Sequence, residues 1–411
     1  MIRIGAGMKQ KAIRKASKVA VISALGATIA GCASTSWPPM AMSGDRASKI
    51  GVDSRPLSDA VQSQEVLRAM TVVAEWQMAN PSKHRTNDWQ EATFWAGLSA
   101  FAPLSDDPGR YFGAIRRNGD ANGWKPGPSP YCVDDYAITQ SYFLLFRVEN
   151  DRGMIAPTLT RFENMLRIPF DEPLDFSQEK TEREWVTCDS LFMLPPSLAL
   201  AADGTGDSRY ADFMNRLWWK TTDYLYDKEE RLYYRDSRFF DRREANGQKV
   251  FWSRGNGWVL AGLARVLQYL PEDYPERQRY LRLFREMAPR IASLQGNDGY
   301  WRAGLLDPES WPTPETSGTG LYIYALAWGV NEGLLDRDAY EAVIRRGWSA
   351  LVRSVRPDGM LGYVQPEADR PGKTTPDRTE VYGAGAFLLA GSEVYRMTMR
   401  SSTPGGSPPF P

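Results

Sequence analysis

The chain has 411 residues, and its 50 Lys and Arg are balanced by 50 Asp and Glu, so it carries no formal net charge. That balance argues against a nucleic-acid or polyanion binder held by bulk charge; any anionic ligand must be recognised by a few local groups. With a single histidine, His84, in a polar run that reads as a solvated loop, a His-based zinc site or Ser-His triad lacks its parts, and acid–base chemistry falls to carboxylates.

Residues 1–32 read as a secretion signal, not as fold. Lys9, Lys11, Arg14, Lys15 and Lys18 form a basic start, and VAVISALGATIA follows. That apolar run is shorter than the roughly 20 residues needed to cross a bilayer. Ile29-Ala30-Gly31-Cys32 resembles the lipobox of bacterial lipoproteins. The resemblance implies lipidation of Cys32 and a place in the bacterial cell envelope, on the periplasmic side or at the surface of the outer membrane. An ordinary signal peptide with a chance cysteine is the alternative. Residues 33–55 read as a flexible tether, 56–398 as one domain, and 399–411 as a disordered tail. Cys132 and Cys188 match no metal motif, and a bridge between them is open in an oxidising compartment.

Within the domain one pattern recurs. WQEATFWAGLSAF begins at Trp89, DDYAITQSYFLLF at Asp134, CDSLFMLPPSLAL at Cys188, GNGWVLAGLARVL at Gly255, TSGTGLYIYALAWGV at Thr316 and EVYGAGAFLLAGSEV at Glu380. Each opens on polar residues or glycine and then turns apolar nearly all round, as a helix buried on every side does. Between them, runs from Leu57, Met154, Ser208, Glu276 and Arg337 are apolar at every third and fourth position, the pattern of surface helices. About six inner and six outer helices in alternation predict an all-α (α/α)6 barrel, with LYYRD and GYWRAGL as loops or short rim hairpins. Two separate helical domains are the alternative, but no Pro/Gly/Ser-rich linker divides the chain after Arg55.

Parallel inner helices would gather their polar starts into one cup: Trp89, Asp134, Asp135, Asp189, Arg254, Asn256, Thr316, Ser317, Glu380 and Tyr382. Asp189 follows Cys188 and lies close to Trp185, surroundings that desolvate a carboxyl and keep it protonated, as a general acid must be. A helix N-cap is its competing role. Asp134 and Asp135 raise the same choice, and Asp134 with Asp189 supplies the two separated carboxylates of a minimal glycosidase. In FWSRGNGW, Trp252 and Trp258 offer flat faces for a sugar ring or for the core. Arg254 offers a fork for a carboxylate or for an Asp, and Asn256 an amide for hydroxyls.

These stretches resemble one group of enzymes. WVTCDSLFMLPP (185–196), FWSRGNGWVLAGL (251–263), ETSGTGLYIYALAWGVN (315–331) and VYGAGAFLLAGSEVYR (381–396) are similar to motifs of unsaturated rhamnogalacturonyl hydrolases and unsaturated glucuronyl hydrolases, glycoside hydrolase families 105 and 88. The resemblance implies an (α/α)6 barrel that needs no cofactor and no metal. It implies removal of a 4,5-unsaturated uronic acid from lyase-generated oligosaccharides, pectin and rhamnogalacturonan fragments first among them. By motif Asp189 is the proton donor and Asp134 the second carboxylate, with the Asp134/Asp135 register open. Asp135, Trp185, Arg235, Trp252, Arg254, Asn256, Trp258, Thr316 and Ser317 are the candidate substrate-binding residues. Where many relatives carry a histidine before RGNGW, this chain has RLYYRDSRFFDRR, with Arg235 and Arg238 available to grip an anionic sugar. An ordinary glycosidase or lyase on saturated uronides, and a surface lipoprotein that only binds glycans, are the alternatives.

Overall fold

The computed structural model describes residues 55–176 and 184–401. Cys32, the rest of the signal, the tether up to residue 54 and the tail from residue 402 lie outside the described residues.

Outer and inner helices alternate. Outer α1 (Ser63–Ala79) is followed by inner α2 (Trp89–Phe101), outer α3 (Pro108–Ala121) by inner α4 (Thr139–Glu149). Outer α5 (Ala156–Met165) leads to inner α6 (Ser190–Met193) and its continuation α7 (Pro195–Thr205), and outer α8 (Ser208–Leu225) to inner α9 (Ser253–Tyr269). Outer α10 (Arg277–Ser293), inner α11 (Thr316–Asn331), outer α12 (Arg337–Arg353) and inner α13 (Val381–Ser401) complete the series. The inner helices pack in order, α2 on α4, α4 on α7, α7 on α9, α9 on α11 and α11 on α13, and α13 closes on α2. A closed ring with one continuous core rules out two separate helical domains among the described residues.

The burial pattern follows the sequence pattern. Every residue of α11 is buried, and so is α9 from Ser253 to Leu267. α8 instead hides one face through Phe213, Met214, Leu217, Trp218 and Leu225. At about 1.5–3 kcal/mol for each large apolar side chain removed from water, these inner helices are the main hydrophobic store of the fold. At the seam α2 and α13 touch backbone to backbone: a Cβ on Gly97 would lie 2.4 Å from the Gly385 carbonyl oxygen.

The elements differ from the sequence reading in five places. The sixth outer helix, α3, is diluted by Gly109, Gly113 and Gly119; its start is marked by Asp107, which caps the Arg110 N–H at 3.1 Å, and by Pro108 in the first turn. The run from Cys188 breaks between α6 and α7, where Pro195 and Pro196 open a new helix rather than continue the old one. Asp134 and Asp135 sit in a 3-10 turn, Val133–Tyr136, ahead of α4. α1 starts at Ser63, not Leu57, and α13 runs to Ser401, past the expected limit at 398. LYYRD contributes to a two-stranded hairpin, Tyr226–Asp227 (β1) against Leu232–Tyr233 (β2), and GYWRAGL bridges to the start of α9 through Trp252 and Gly304.

Candidate active site

The polar starts of the inner helices do meet at one end of the barrel. Trp89 stacks on Tyr382 at 5.1 Å and meets Trp258 edge-on at 6.2 Å, joining α2, α9 and α13. The sequence-predicted residues then divide into two layers.

The lower layer is buried and bonds mainly within itself. Arg254 is 1% exposed; its two terminal nitrogens donate to the carbonyls of Gln365 (2.8 Å) and Pro366 (3.1 Å), and it lies over the rings of Trp252 and Tyr382. Asn256 accepts the Tyr233 N–H at 2.8 Å and donates to the Tyr233 and Trp252 carbonyls, which ties β2 to α9. Trp252 donates its indole N–H to Gln365 Oε1 at 3.0 Å. Trp258 packs against Phe192 in the core, and Trp185 is equally buried. Thr316 donates to the Gly362 carbonyl, while Ser317 bonds through both backbone N–H and hydroxyl to Glu315, the cap of α11. Trp185, Trp252, Arg254, Asn256, Trp258, Thr316 and Ser317, the residues expected at the substrate, thus form the buried floor of the cup, in which the Arg254 Nε and the Trp185 indole N–H have no hydrogen-bond partner among the described residues.

The upper layer holds the charges that reach the cup. Asp189 stands at the start of α6 with helical backbone angles and makes no capping hydrogen bond, so the cap role is not realised. Its side chain is 13% exposed and accepts the Arg235 Nε–H at 3.2 Å, and the Cys188 thiol donates to it at 3.7 Å. Burial raises the Asp189 pKa, while Arg235 and Arg254 oppose that shift. Asp134 belongs to the same cluster: burial pushes it up to about 7, the Asp189 charge adds to this, and Arg235 opposes it. Asp135 is a correction. Its carboxylate turns away to accept the Ser129 N–H at 2.6 Å, and the charges bearing on it are Arg85, Asp88 and Arg161. It organises the loop ahead of the cup.

Several participants escaped the sequence reading. Asp236, 0% exposed, accepts from Arg235 at 2.8 Å and from Arg238 at 2.8 Å, and these guanidinium groups hold its pKa below the ordinary value against the effect of burial. Arg238 continues to Asp369 at 2.9 Å, and Phe176 lies against both arginines, 3.8 Å from Arg238 Cζ and 5.3 Å from Arg235 Cζ. On the opposite rim Gln90 donates to Glu367 at 2.9 Å, and His84 faces Glu380 at 3.5 Å, partly buried rather than fully solvated. The only advance signal for Asp236 was its place between Arg235 and Arg238. Asp369 and Glu367 come from a loop with no motif. Cys132 and Cys188 remain separate thiols. Among the described residues no cluster of three His, Cys, Asp or Glu side chains could hold a metal ion.

An apolar-walled cup with two carboxyls of raised pKa, and arginines beside them, suits acid–base work on an anionic sugar. The comparisons agree with that class. The Glycosyl Hydrolase Family 88 profile matches residues 61–398, and the chain belongs to that family and is a glycoside hydrolase. It is 39% identical to an unsaturated 3S-rhamnoglycuronyl hydrolase of Formosa agariphila over 81% of this chain and 91% of that protein. A protein of the same name from Alteromonas sp. (strain LOR) is 32% identical over 92% of this chain and 97% of its own. Among solved structures, one named as a polysaccharide lyase superposes with a TM-score of 0.75 at 33% identity, covering 82% of this chain and 98% of that one. A glycosyl hydrolase family 88 protein from Bacteroides vulgatus superposes at 0.74 with 30% identity, over 82% of this chain and 99% of that one. The barrel expected from the helix pattern is the fold of this family.

Proposed function

We propose that the enzyme removes a 4,5-unsaturated uronic acid from the non-reducing end of lyase-generated oligosaccharides in which a rhamnose follows the uronate. The names of the two relatives put rhamnose beside the uronate. The observation that carries the chemistry is the group formed by Asp189, Asp134 and Arg235: two carboxyls with raised pKa, one paired with the Arg235 guanidinium and the other within reach of its charge.

Burial favours the protonated form of both Asp189 and Asp134 and Arg235 opposes it in each, so the pair can hold a shared proton. An incoming uronate carboxylate competes for Arg235 and Arg238. Asp189 then loses its counter-charge and takes the proton in the complex. It delivers that proton to C4 of the vinyl ether, and positive charge spreads over C5 and the ring oxygen. Water adds at C5 and returns a proton to Asp189. The resulting hemiketal opens to a ketone at C5 and a hemiacetal at C1, which expels the remaining oligosaccharide as an alcohol. Asp134 orients the water or the sugar hydroxyls.

The test is ultraviolet absorbance on mixing with an unsaturated uronyl-rhamnose disaccharide: the double-bond band disappears as the sugar is hydrated. The solved neighbour named as a polysaccharide lyase favours a second reading, cleavage of saturated uronides by elimination. A lyase makes the band grow, so the sign of the change decides. Release of sugar from saturated substrates, with the unsaturated disaccharide untouched, overturns the first reading.

We also propose that Cys32 carries a lipid anchor, supported by the lipobox-like Ile29-Ala30-Gly31-Cys32. Labelled palmitate should enter the wild type and not Cys32→Ser. Equal membrane retention of both without label overturns it.

A further inference from the structure

On the outer side of the arginine cluster lies a recess of about 260 Å³, walled by Phe239, Arg242, Arg243, Glu244, Trp311 and Arg370. We propose that it is a distal subsite for an anionic sugar of the same oligosaccharide, bound through a sulfate ester or a carboxylate on that sugar. The inference rests on the substrate class proposed above.

Charge is the first reason. Three guanidinium groups face one carboxylate, in a chain with no net charge overall. Arg242 and Arg243 are exposed, and neither pairs with a carboxylate among the described residues. Arg243 is held by the Phe240 and Arg242 carbonyls at 3.1 and 2.8 Å, and Arg242 lies 4.9 Å over the Phe239 ring. Two forks fixed in this way, with charge unspent, match the paired oxygens of a sulfate ester or carboxylate.

Shape is the second reason. Trp311 gives the recess a flat, part-exposed wall and donates its indole N–H to Glu244 at 3.2 Å. A Cβ on Gly304 would lie 2.5 Å from the Trp311 ring and 2.7 Å from Glu244 Oε1. The bare backbone there is what lets the indole and the carboxylate seat together, with Oε1 buried beside Gly304. An aromatic face beside anion-binding forks suits a sugar ring carrying a charge.

Continuity with the cup is the third reason. Ion pairs run from Asp189 to Arg235 (3.2 Å), Asp236 (2.8 Å), Arg238 (2.8 Å), Asp369 (2.9 Å) and Arg370 (2.8 Å). Asp369 thus faces the cup through Arg238 and the recess through Arg370. An oligosaccharide with its unsaturated end at Asp189 has this charged path beside it.

The experiment compares wild type with the double variant Arg242→Ala/Arg243→Ala, both positions being exposed. Substrates are an unsaturated disaccharide and unsaturated tetrasaccharides whose distal sugar is sulfated, carboxylated or neutral. The variant should raise KM for the charged tetrasaccharides about tenfold or more at unchanged kcat, and leave the disaccharide and the neutral tetrasaccharide alone. An effect confined to the sulfated substrate identifies a sulfate ester, and one shared by both charged substrates a general anion. Trp311→Ala should weaken all three tetrasaccharides. Equal KM values throughout, or a rise that includes the disaccharide, overturn the subsite. Calorimetry with a saturated sulfated tetrasaccharide separates the two readings. Binding lost in the double variant supports the recess even if no substrate is turned over, and binding unchanged by it overturns the recess even if the hydrolase is active.

Discussion

The floor and the upper wall of the cup are made of the same residue types and do opposite things with them. Arg254 is sealed under the floor, both terminal nitrogens spent on carbonyls, while Arg235, 17% exposed, divides its charge between Asp189 and Asp236. Trp252 and Trp258 are closed over, whereas Trp311 keeps a face toward the recess. A conspicuous motif is therefore no guide to which arginine meets a ligand. What separates the layers is burial, Arg254 being 1% exposed and the Arg235 side chain 17%.

Substitutions should break that contrast in graded steps. The largest effect falls on the floor: Arg254→Ala leaves a cavity and strips buried carbonyls of their donors, for a stability loss of about 3 kcal/mol or more in chemical denaturation. A melting curve matching wild type would show that the floor is not so dependent. Next is the wall, where Asp189→Asn should cost at least about 10²-fold in kcat while leaving the melting temperature near wild type, since no cap bond is lost. Early melting at full specific activity would restore the cap role. Asp236→Asn is the intermediate case. It frees Arg235 and Arg238 from their shared anchor and should raise KM about tenfold for uronate substrates, with the basic limb of the pH–rate profile displaced. A structural role alone would leave that limb in place.

The smallest effect is one of pH. Asp134 has a folded-state pKa raised from the ordinary 3.8 to about 7, so the folded protein holds this proton more tightly than the unfolded chain. Its contribution to stability is complete below 3.8 and is lost as pH rises through about 7. The Asp134→Asn variant should show a flatter fall in melting temperature between those limits. Its activity should also show an altered pH profile, because a carboxyl that can share a proton with Asp189 is gone. Identical pH profiles would place Asp134 outside the proton-sharing pair.

Periodicity made the scaffold legible. α2 and α11 begin at the residues their runs marked, Trp89 and Thr316, and α8 spans the stretch read as a surface helix. α3 was hidden because three glycines weaken a pattern that its Asp-Pro start alone announces. In the site, Asp189 and Asp134 could be chosen because each stands ahead of an inner-helix run, and Arg235 because its segment stands where many members of the resembled family carry a histidine. Asp236, Asp369 and Phe176 could not: ion pairs and ring contacts between distant loops leave no period in the chain. In RGNGW the sequence left two roles open. Aromatic and guanidinium groups beside glycine suit a sugar and suit a dense helix start equally, and the partners of Arg254 and Asn256 show the second role.

The meeting of Gly97 with Gly385 has a consequence for synthesis. The last helix among the described residues is also the one that seals the ring against α2, so the ring cannot close before the residues from Val381 onward emerge from the ribosome. Until then α1 and α2 wait with apolar faces uncovered, and a stop codon ahead of that point yields material for chaperones and proteases rather than a smaller enzyme.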